Sequence, residues 1–241
     1  MYEDDFMYLQ QICNDIHVSL TDKQLECFRI YADLLVEKNK VMNLTTITEM
    51  RKIIVRHFYD SLAVSLYLDF SGVRSVIDVG TGAGFPGLPL KIAFPHLRVT
   101  LMDSLSKRIG FLNEVIEQCG LTNVEAVHSR AEDLGRDVHF RDRYDVAVSR
   151  AVARMSVLCE YSLPFVKKGG IFAAYKSGDI EAELKEAERA IKMLGGQIEN
   201  VYHFSLPEGE GDRSVVCVRK TVETPAFYPR KAGVPGRKPL K

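Results

Sequence analysis

Between Ser75 and Gly87 the chain reads S-V-I-D-V-G-T-G-A-G-F-P-G, and few folds accept such a run. Val76, Ile77 and Val79 form a short β-branched apolar stretch, the pattern of a buried strand. Gly80, Gly82 and Gly84 follow at alternate positions, where the backbone can take positive φ and approach a ligand closely. Pro86 suits the first turn of a helix. The expected unit is a strand, a glycine turn and a helix N-terminus, which presents peptide N–H groups to a nucleotide-like cofactor. Asp78 lies inside the strand and is expected to leave its end and find donors, because an unpaired buried carboxylate is very costly.

Two cofactor classes use this geometry. Gly82, Gly84 and Gly87 match the G-x-G-x-x-G spacing of dinucleotide enzymes. Here, however, the turn begins at Gly80 and an acid precedes it. D-x-G-x-G-x-G resembles the first motif of Rossmann-like S-adenosylmethionine-dependent methyltransferases. The ammonium group of that cofactor can face Asp78 or its neighbouring backbone, whereas a pyrophosphate disfavours a carboxylate nearby. The next strand ends at Asp103, about twenty residues after the turn, the spacing at which a carboxylate accepts ribose hydroxyls in either class. Asp103 or Ser104 is equally suited to cap the following helix.

The chain's 241 residues are 46% hydrophobic, enough for a full core. The formal net charge is zero, so any nucleic-acid contact must come from local basic patches. The five cysteines are scattered, without a C-x-x-C pair or metal-ligand spacing, and read as buried free thiols in a reducing cytosol, with no metal site. The opening M-Y-E-D-D-F lacks a signal peptide's basic and apolar regions, and no stretch is apolar enough to span a bilayer. A cytoplasmic location is expected.

Periodicity organises the rest. Residues 1–70 read as a helical extension, with Thr21-Asp22 capping a helix that carries Leu25, Phe28, Ala32 and Leu35 on one stripe. A second helix carries Ile54, Phe58, Leu62 and Leu66. Over 71–222, strands at 76–79, 99–102, 124–128, 144–149 and 170–175 alternate with helices at 87–94, 105–119, 154–166 and 179–194, the pattern of a largely parallel sheet. Strands at 197–204 and 214–220 are joined too closely for a crossover helix, so they form an antiparallel hairpin. Seven strands ending in that hairpin are the topology of an α/β, Rossmann-like class I methyltransferase; a dinucleotide fold ends with parallel strands. Residues 223–241 form a basic tail.

Further motifs carry a closer resemblance: N-L-T-x-I (Asn43 to Ile47), R-H-x-x-D-S-L (Arg56 to Leu62), D-S-x-x-K-R (Asp103 to Arg108), R-A-E-D (Arg130 to Asp133), S-R-A-V-A (Ser149 to Ala153) and Y-P-R-K-A-G-x-P (Tyr228 to Pro235). Over nearly its whole length the chain resembles the bacterial small-subunit ribosomal RNA guanine-N7 methyltransferases, also called the glucose-inhibited division protein B family. The family commonly has Lys-Gly after the fifth strand; this chain has Lys176-Ser177. The resemblance implies methyl transfer from S-adenosyl-L-methionine to N7 of a guanine in the 530 loop of 16S rRNA, with naked rRNA, an assembly intermediate and the small ribosomal subunit all open as the substrate; a monomer is expected. It implies cofactor contacts at Gly80, Phe85, Ala131, Glu132 and Arg150, with Asp103 as ribose acceptor. Arg150, at a strand's carboxyl end, is expected to orient substrate or cofactor.

RNA contact is expected from Arg56, Arg154, Lys176, Arg230 and Lys231, whose cations can neutralise phosphates, and at His57, which either contacts RNA or holds the N-terminal helices against the cofactor rather than transferring a proton. A passive, solubilising end is the alternative for the tail. Other readings are a methyltransferase of the same fold with a protein or small-molecule acceptor, though the Asn/Asp-Pro-Pro-aromatic motif frequent in exocyclic-nitrogen methylation is absent, and a nicotinamide oxidoreductase.

Overall fold

The computed structural model describes residues 3–178 and 180–241. Met1 and Tyr2, which open the expected helical extension, and Asp179, the first residue of the expected 179–194 helix, lie outside them. The chain begins with helices α1 (Glu3–Asp15) and α2 (Asp22–Met42). Thr21 caps α2 through a reciprocal box with Gln24, as its sequence leads one to expect. A continuous helical run follows: α3 (Met50–Ile53), a wide π-type stretch over Ile54–Tyr59, α4 (Asp60–Leu62) and a 3-10 turn over Ala63–Leu66. Wide turns of this kind are frequent at functional sites.

Strands and helices then alternate: β1 (Ser75–Val79), α5 (Gly87–Ala93), β2 (Arg98–Asp103), α6 (Ser106–Gln118), β3 (Val124–His128), α7 (Ala131–Leu134), β4 (Tyr144–Arg150), α8 (Met155–Ser162), β5 (Val166–Ser177), α9 (Glu181–Met193), β6 (Gly196–Ser205) and β7 (Asp212–Lys220), with a last short helix α10 (Val234–Arg237). The seven strands form one sheet in the order β3-β2-β1-β4-β5-β7-β6. β1 to β5 run parallel, and β7 inserts between β5 and β6, antiparallel to both. This is the topology expected from the short β6–β7 connection.

Strand alternation divides the core in two. Val76, Val99, Leu101, Val146, Val148, Ala173 and Cys217 face the N-terminal helices, α5 and α6. Ile77, Val79, Phe172, Ala174, Val216 and Val218 face α8, α9 and the C-terminal segment. β5 begins four residues earlier than its apolar run, and a register shift between Tyr144 and Val146 of β4 accommodates the addition. Lys220, fully buried, places its ammonium on the Leu163 and Val166 carbonyls and on Asp142, which explains a lysine at the end of a core strand. Among the described residues no helix is long and apolar enough to cross a membrane.

The helical extension braces the glycine turn. Fully buried Tyr31 of α2 donates its hydroxyl to the Ala83 carbonyl and packs on Phe58 and Phe85. An added Cβ at Gly84 would lie 2.5 Å from Leu88 and 2.6 Å from the Tyr31 hydroxyl, at φ +104°, so only glycine fits. Tyr31→Phe is expected to leave the Ala83 carbonyl unpaired and cost about 1–3 kcal/mol, readable by urea unfolding; an unchanged midpoint would refute the brace.

Candidate active site

A cleft of about 580 Å³ opens at the carboxyl ends of β1 to β4. β1 lies between β2 and β4 in the sheet, so the cleft sits where strand order reverses, the point at which open α/β sheets bind ligands. One wall is the turn from Gly80 to Ala83 with Phe85 behind it. Gly82 takes φ +62°, and a Cβ built there meets no atom within 4 Å. Bare backbone thus faces open space, the fit a nucleoside-type cofactor requires.

Asp103, at the end of β2, is 2% exposed and borders the cleft. Its Oδ2 accepts from the Gly82 N–H and from Arg108, and its Oδ1 accepts from the Leu105 N–H. Neither Asp103 nor Ser104 caps α6, whose cap position is Leu105 and carries no side-chain bond; Asp103 instead closes the turn that leads into the helix. A carboxylate offers about four acceptor positions. With three taken, one on Oδ1 is left for a hydroxyl rather than two. Ala131 and Glu132 open α7 on the far side of the cleft. Glu132 Oε1 accepts from the Gly233 N–H at 2.8 Å.

Asp78 is placed otherwise than expected. It does not line the cleft. Residues 76 and 78 share the sheet face toward the N-terminal helices, so its side chain turns under the glycine turn, accepting from Thr81 Oγ1 (2.6 Å) and the Gly87 N–H (2.7 Å). Its other oxygen has no hydrogen-bond partner. Burial pushes the carboxyl up to about 7, against the pull of these two donors and of Arg150. Asp78 supports the turn from beneath and leaves its neighbouring backbone to line the cleft.

Arg150 ends β4 with 15% of its side chain exposed. Its Nη1 donates to Asp60 Oδ2 (2.8 Å) and to the Arg56 carbonyl (3.1 Å), and its guanidinium lies 4.9 Å from the Phe85 ring centre. Nη2 is 3.3 Å from His57 Nδ1. A guanidinium can only donate, so Nδ1 is the acceptor and Nε2 carries the hydrogen toward Thr45 Oγ1, 2.9 Å away. The His57 ring stacks on Phe85 at 4.5 Å. Burial, and then the charge of Arg150, lower its pKa to about 3. A second cleft, about 440 Å³, adjoins the first; the two share His57, Arg150 and Ala151.

The expected RNA contacts separate into different environments. Arg56 is half-exposed at the second cleft, 3.5 Å from Glu210. Lys176 is 13% exposed, paired with Glu183 and bonded to the Ala153 carbonyl. Arg154 is exposed but holds Glu186. Arg230 is a correction: it is no free cation, because its guanidinium and its backbone N–H together grip Glu160, whose side chain is fully buried. The C-terminal segment is correspondingly docked. Arg136 and Arg141 hold the carbonyls of Thr224, Phe227, Tyr228 and Pro229, and Gly233 reaches the first cleft. Lys231, Arg237 and Lys238 remain exposed. Thr45, Tyr161 and Gly233 also line the cleft; Thr45 lies in N-L-T-x-I and Gly233 in Y-P-R-K-A-G-x-P, while no motif marks Tyr161.

Two outcomes test these assignments. Arg230→Ala strands a buried carboxylate and is expected to cost about 3–5 kcal/mol of stability; denaturant unfolding that matches wild type would return Arg230 to the surface cations. Asp78 has a folded pKa of about 7 against an ordinary 3.8. Its stabilising contribution is therefore full below the ordinary value and is lost as pH rises through 7. Urea unfolding at pH 5 and pH 8 should show wild type losing more stability than Asp78→Asn; parallel losses would contradict the shift.

The family model described as rRNA small subunit methyltransferase G matches residues 24–216. Ribosomal RNA small subunit methyltransferase G of Brevibacillus brevis is 52% identical over 92% of this chain and 94% of its own length. That of Bacillus subtilis is 49% identical over 93% and 94%. The fold is similar to the solved structures of mitomycin 7-O-methyltransferase MmcR (TM-score 0.56, 18% identity, 79% of this chain and 60% of that one) and of TrmN from Thermus thermophilus (TM-score 0.51, 19% identity, 69% and 53%). With motifs, topology and cleft in agreement, the chain belongs to the rRNA small subunit methyltransferase G family, which is a family of S-adenosylmethionine-dependent methyltransferases.

Proposed function

We propose that the protein transfers a methyl group from S-adenosylmethionine to N7 of a guanine in the 530 loop of 16S rRNA. The observation that carries this reading is the make-up of the boundary between the two clefts. The side chains common to both are a fixed cation, a neutral imidazole and a methyl group, Arg150, His57 and Ala151. None can take a proton near neutral pH. Guanine N7 has an in-plane lone pair and no proton to lose, so it is an acceptor that needs no general base.

When bound, S-adenosylmethionine supplies an electrophilic methyl group on a positively charged sulfur. The residues that would hold it are the Gly80–Gly82 backbone, Asp103 through its open Oδ1 position, Ala131 and Glu132 across the cleft, and Phe85 as an apolar wall. Arg150 orients the neighbouring groups and stays charged. His57 fills the boundary without titrating. Catalysis on this reading rests on alignment and on electrostatics set in advance. Exposed Lys231, Arg237 and Lys238, together with Arg56 at the mouth of the second cleft, would meet phosphates. The enzyme would act as a cytoplasmic monomer on the small subunit or a precursor of it.

The test is methyl transfer from labelled S-adenosylmethionine to small subunits lacking the modification, followed by nucleoside analysis. Label in 7-methylguanosine at one 16S position is expected; label in another nucleoside would overturn the acceptor assignment. Single-turnover rates between pH 5.5 and 8 should show no inflection from His57, since its pKa lies far below that range. An inflection abolished by His57→Gln would contradict the neutral-imidazole boundary.

A further inference from the structure

Asp60 is an aspartate among buried groups, with its side chain 4% exposed on the floor of the second cleft. Its Oδ2 is held by Arg150 at 2.8 Å. Its Oδ1 makes no hydrogen bond; Arg213 Nε lies 3.4 Å away as an ion-pair partner. A buried carboxylate oxygen left without a donor is costly, and the cleft beside it is the place from which a donor can come. Arg56, Arg150, Lys176 and Arg213 line the same cleft against two acids, Asp60 and Glu183. That balance suits an entering nucleotide with its phosphate. A volume of about 440 Å³ falls within the range of small-molecule sites, roughly 300–1,000 Å³.

We propose that the second cleft receives one guanine base extruded from the RNA, and that Asp60 reads its Watson–Crick edge. The proposal rests on the function proposed above and adds a specificity-determining residue to it. Guanine alone among the four bases offers two adjacent donors there, N1–H and the 2-amino group, and a carboxylate accepts both. Adenine presents a lone pair at N1, which the carboxylate repels. Contact at that edge leaves N7, on the other ring, free to react. It also acts on the rate. As N7 gains a methyl group the purine becomes cationic and N1–H more acidic, so its hydrogen bond to Asp60 is stronger in the transition state than in the ground state. Extrusion of a base into such a pocket is the usual solution for chemistry on a nucleobase.

The experiment uses the full chain and small subunits reconstituted with 16S rRNA carrying guanine, inosine or 1-methylguanine at the position that wild type methylates. Inosine lacks only the 2-amino group; 1-methylguanine cannot donate from N1. Wild type is expected to act on inosine about ten- to a hundredfold more slowly at saturation, and to leave 1-methylguanine unmodified. Asp60→Asn should slow guanine methylation and shrink the guanine-to-inosine ratio to within about threefold, the coupling expected of a direct contact. Its affinity for S-adenosylhomocysteine should stay at the wild-type value.

If both substrates slow equally and the ratio persists, Asp60 only holds Arg150 and the proposal fails. If cofactor affinity falls while discrimination survives, the second cleft belongs to the cofactor and the proposal fails. Should Asp60→Asn not fold, the wild-type comparison decides, and equal rates on guanine and inosine overturn the proposal. Wild-type label outside 7-methylguanosine would instead overturn the functional reading beneath it.

Discussion

One permanent charge organises the candidate active site. Arg150 is carried by β4 into a position with little access to water, and a guanidinium cannot shed its proton to relieve the cost. Its surroundings therefore supply the compensation: a carboxylate from Asp60, a carbonyl from Arg56, the lone pair of His57 and the ring face of Phe85. The same cation reinforces the neutrality that burial imposes on His57. Arg150 thus fixes the position of the imidazole and adds to the effect of burial on its protonation state. Most of these partners come from the helical stretch around the π-type turn, so the catalytic sheet edge is incomplete without the N-terminal helices.

The glycine turn is held from several directions. Asp103 takes the Gly82 N–H, Tyr31 takes the Ala83 carbonyl, and Asp78 with Thr81 and Gly87 supports it from beneath. Across the cleft, Glu132 is held by a residue 101 positions away, Gly233. Preorganised hydrogen bonds of this kind spare a binding site the entropy of ordering its own walls.

Much of this arrangement is legible in the residues. β-branched runs mark β1 to β4, glycines mark the turn, and the short link between β6 and β7 dictates their pairing. What escapes the sequence is direction and partnership. Asp78 lies in the right motif, but strand alternation sends it toward the helices instead of the cleft. The basic composition of the C-terminal segment indicates exposed cations, and Lys231 is one. Nothing local reveals that Arg230 has a buried partner in Glu160, 70 residues earlier. The π-type turn is equally silent, because its apolar residues keep a spacing that an α-helix also satisfies. Asp60 sits inside a recognisable motif, yet the oxygen it leaves without a hydrogen bond is a property of packing alone.

The hydrogen bond between Gly233 and Glu132 also bears on how the protein comes to be active during its synthesis. The cleft draws its lining from Leu44 at one extreme and Gly233 at the other. A nascent chain that has emerged as far as β4 already holds the strand, the turn and Asp103, but lacks the segment that closes the opposite wall. Contacts so distant in sequence form late, because the long intervening loop must first be closed. The wall around Glu132 is therefore completed only when the last residues have been made, and a polypeptide stalled before α10 would carry the signature motifs around an open-sided cleft.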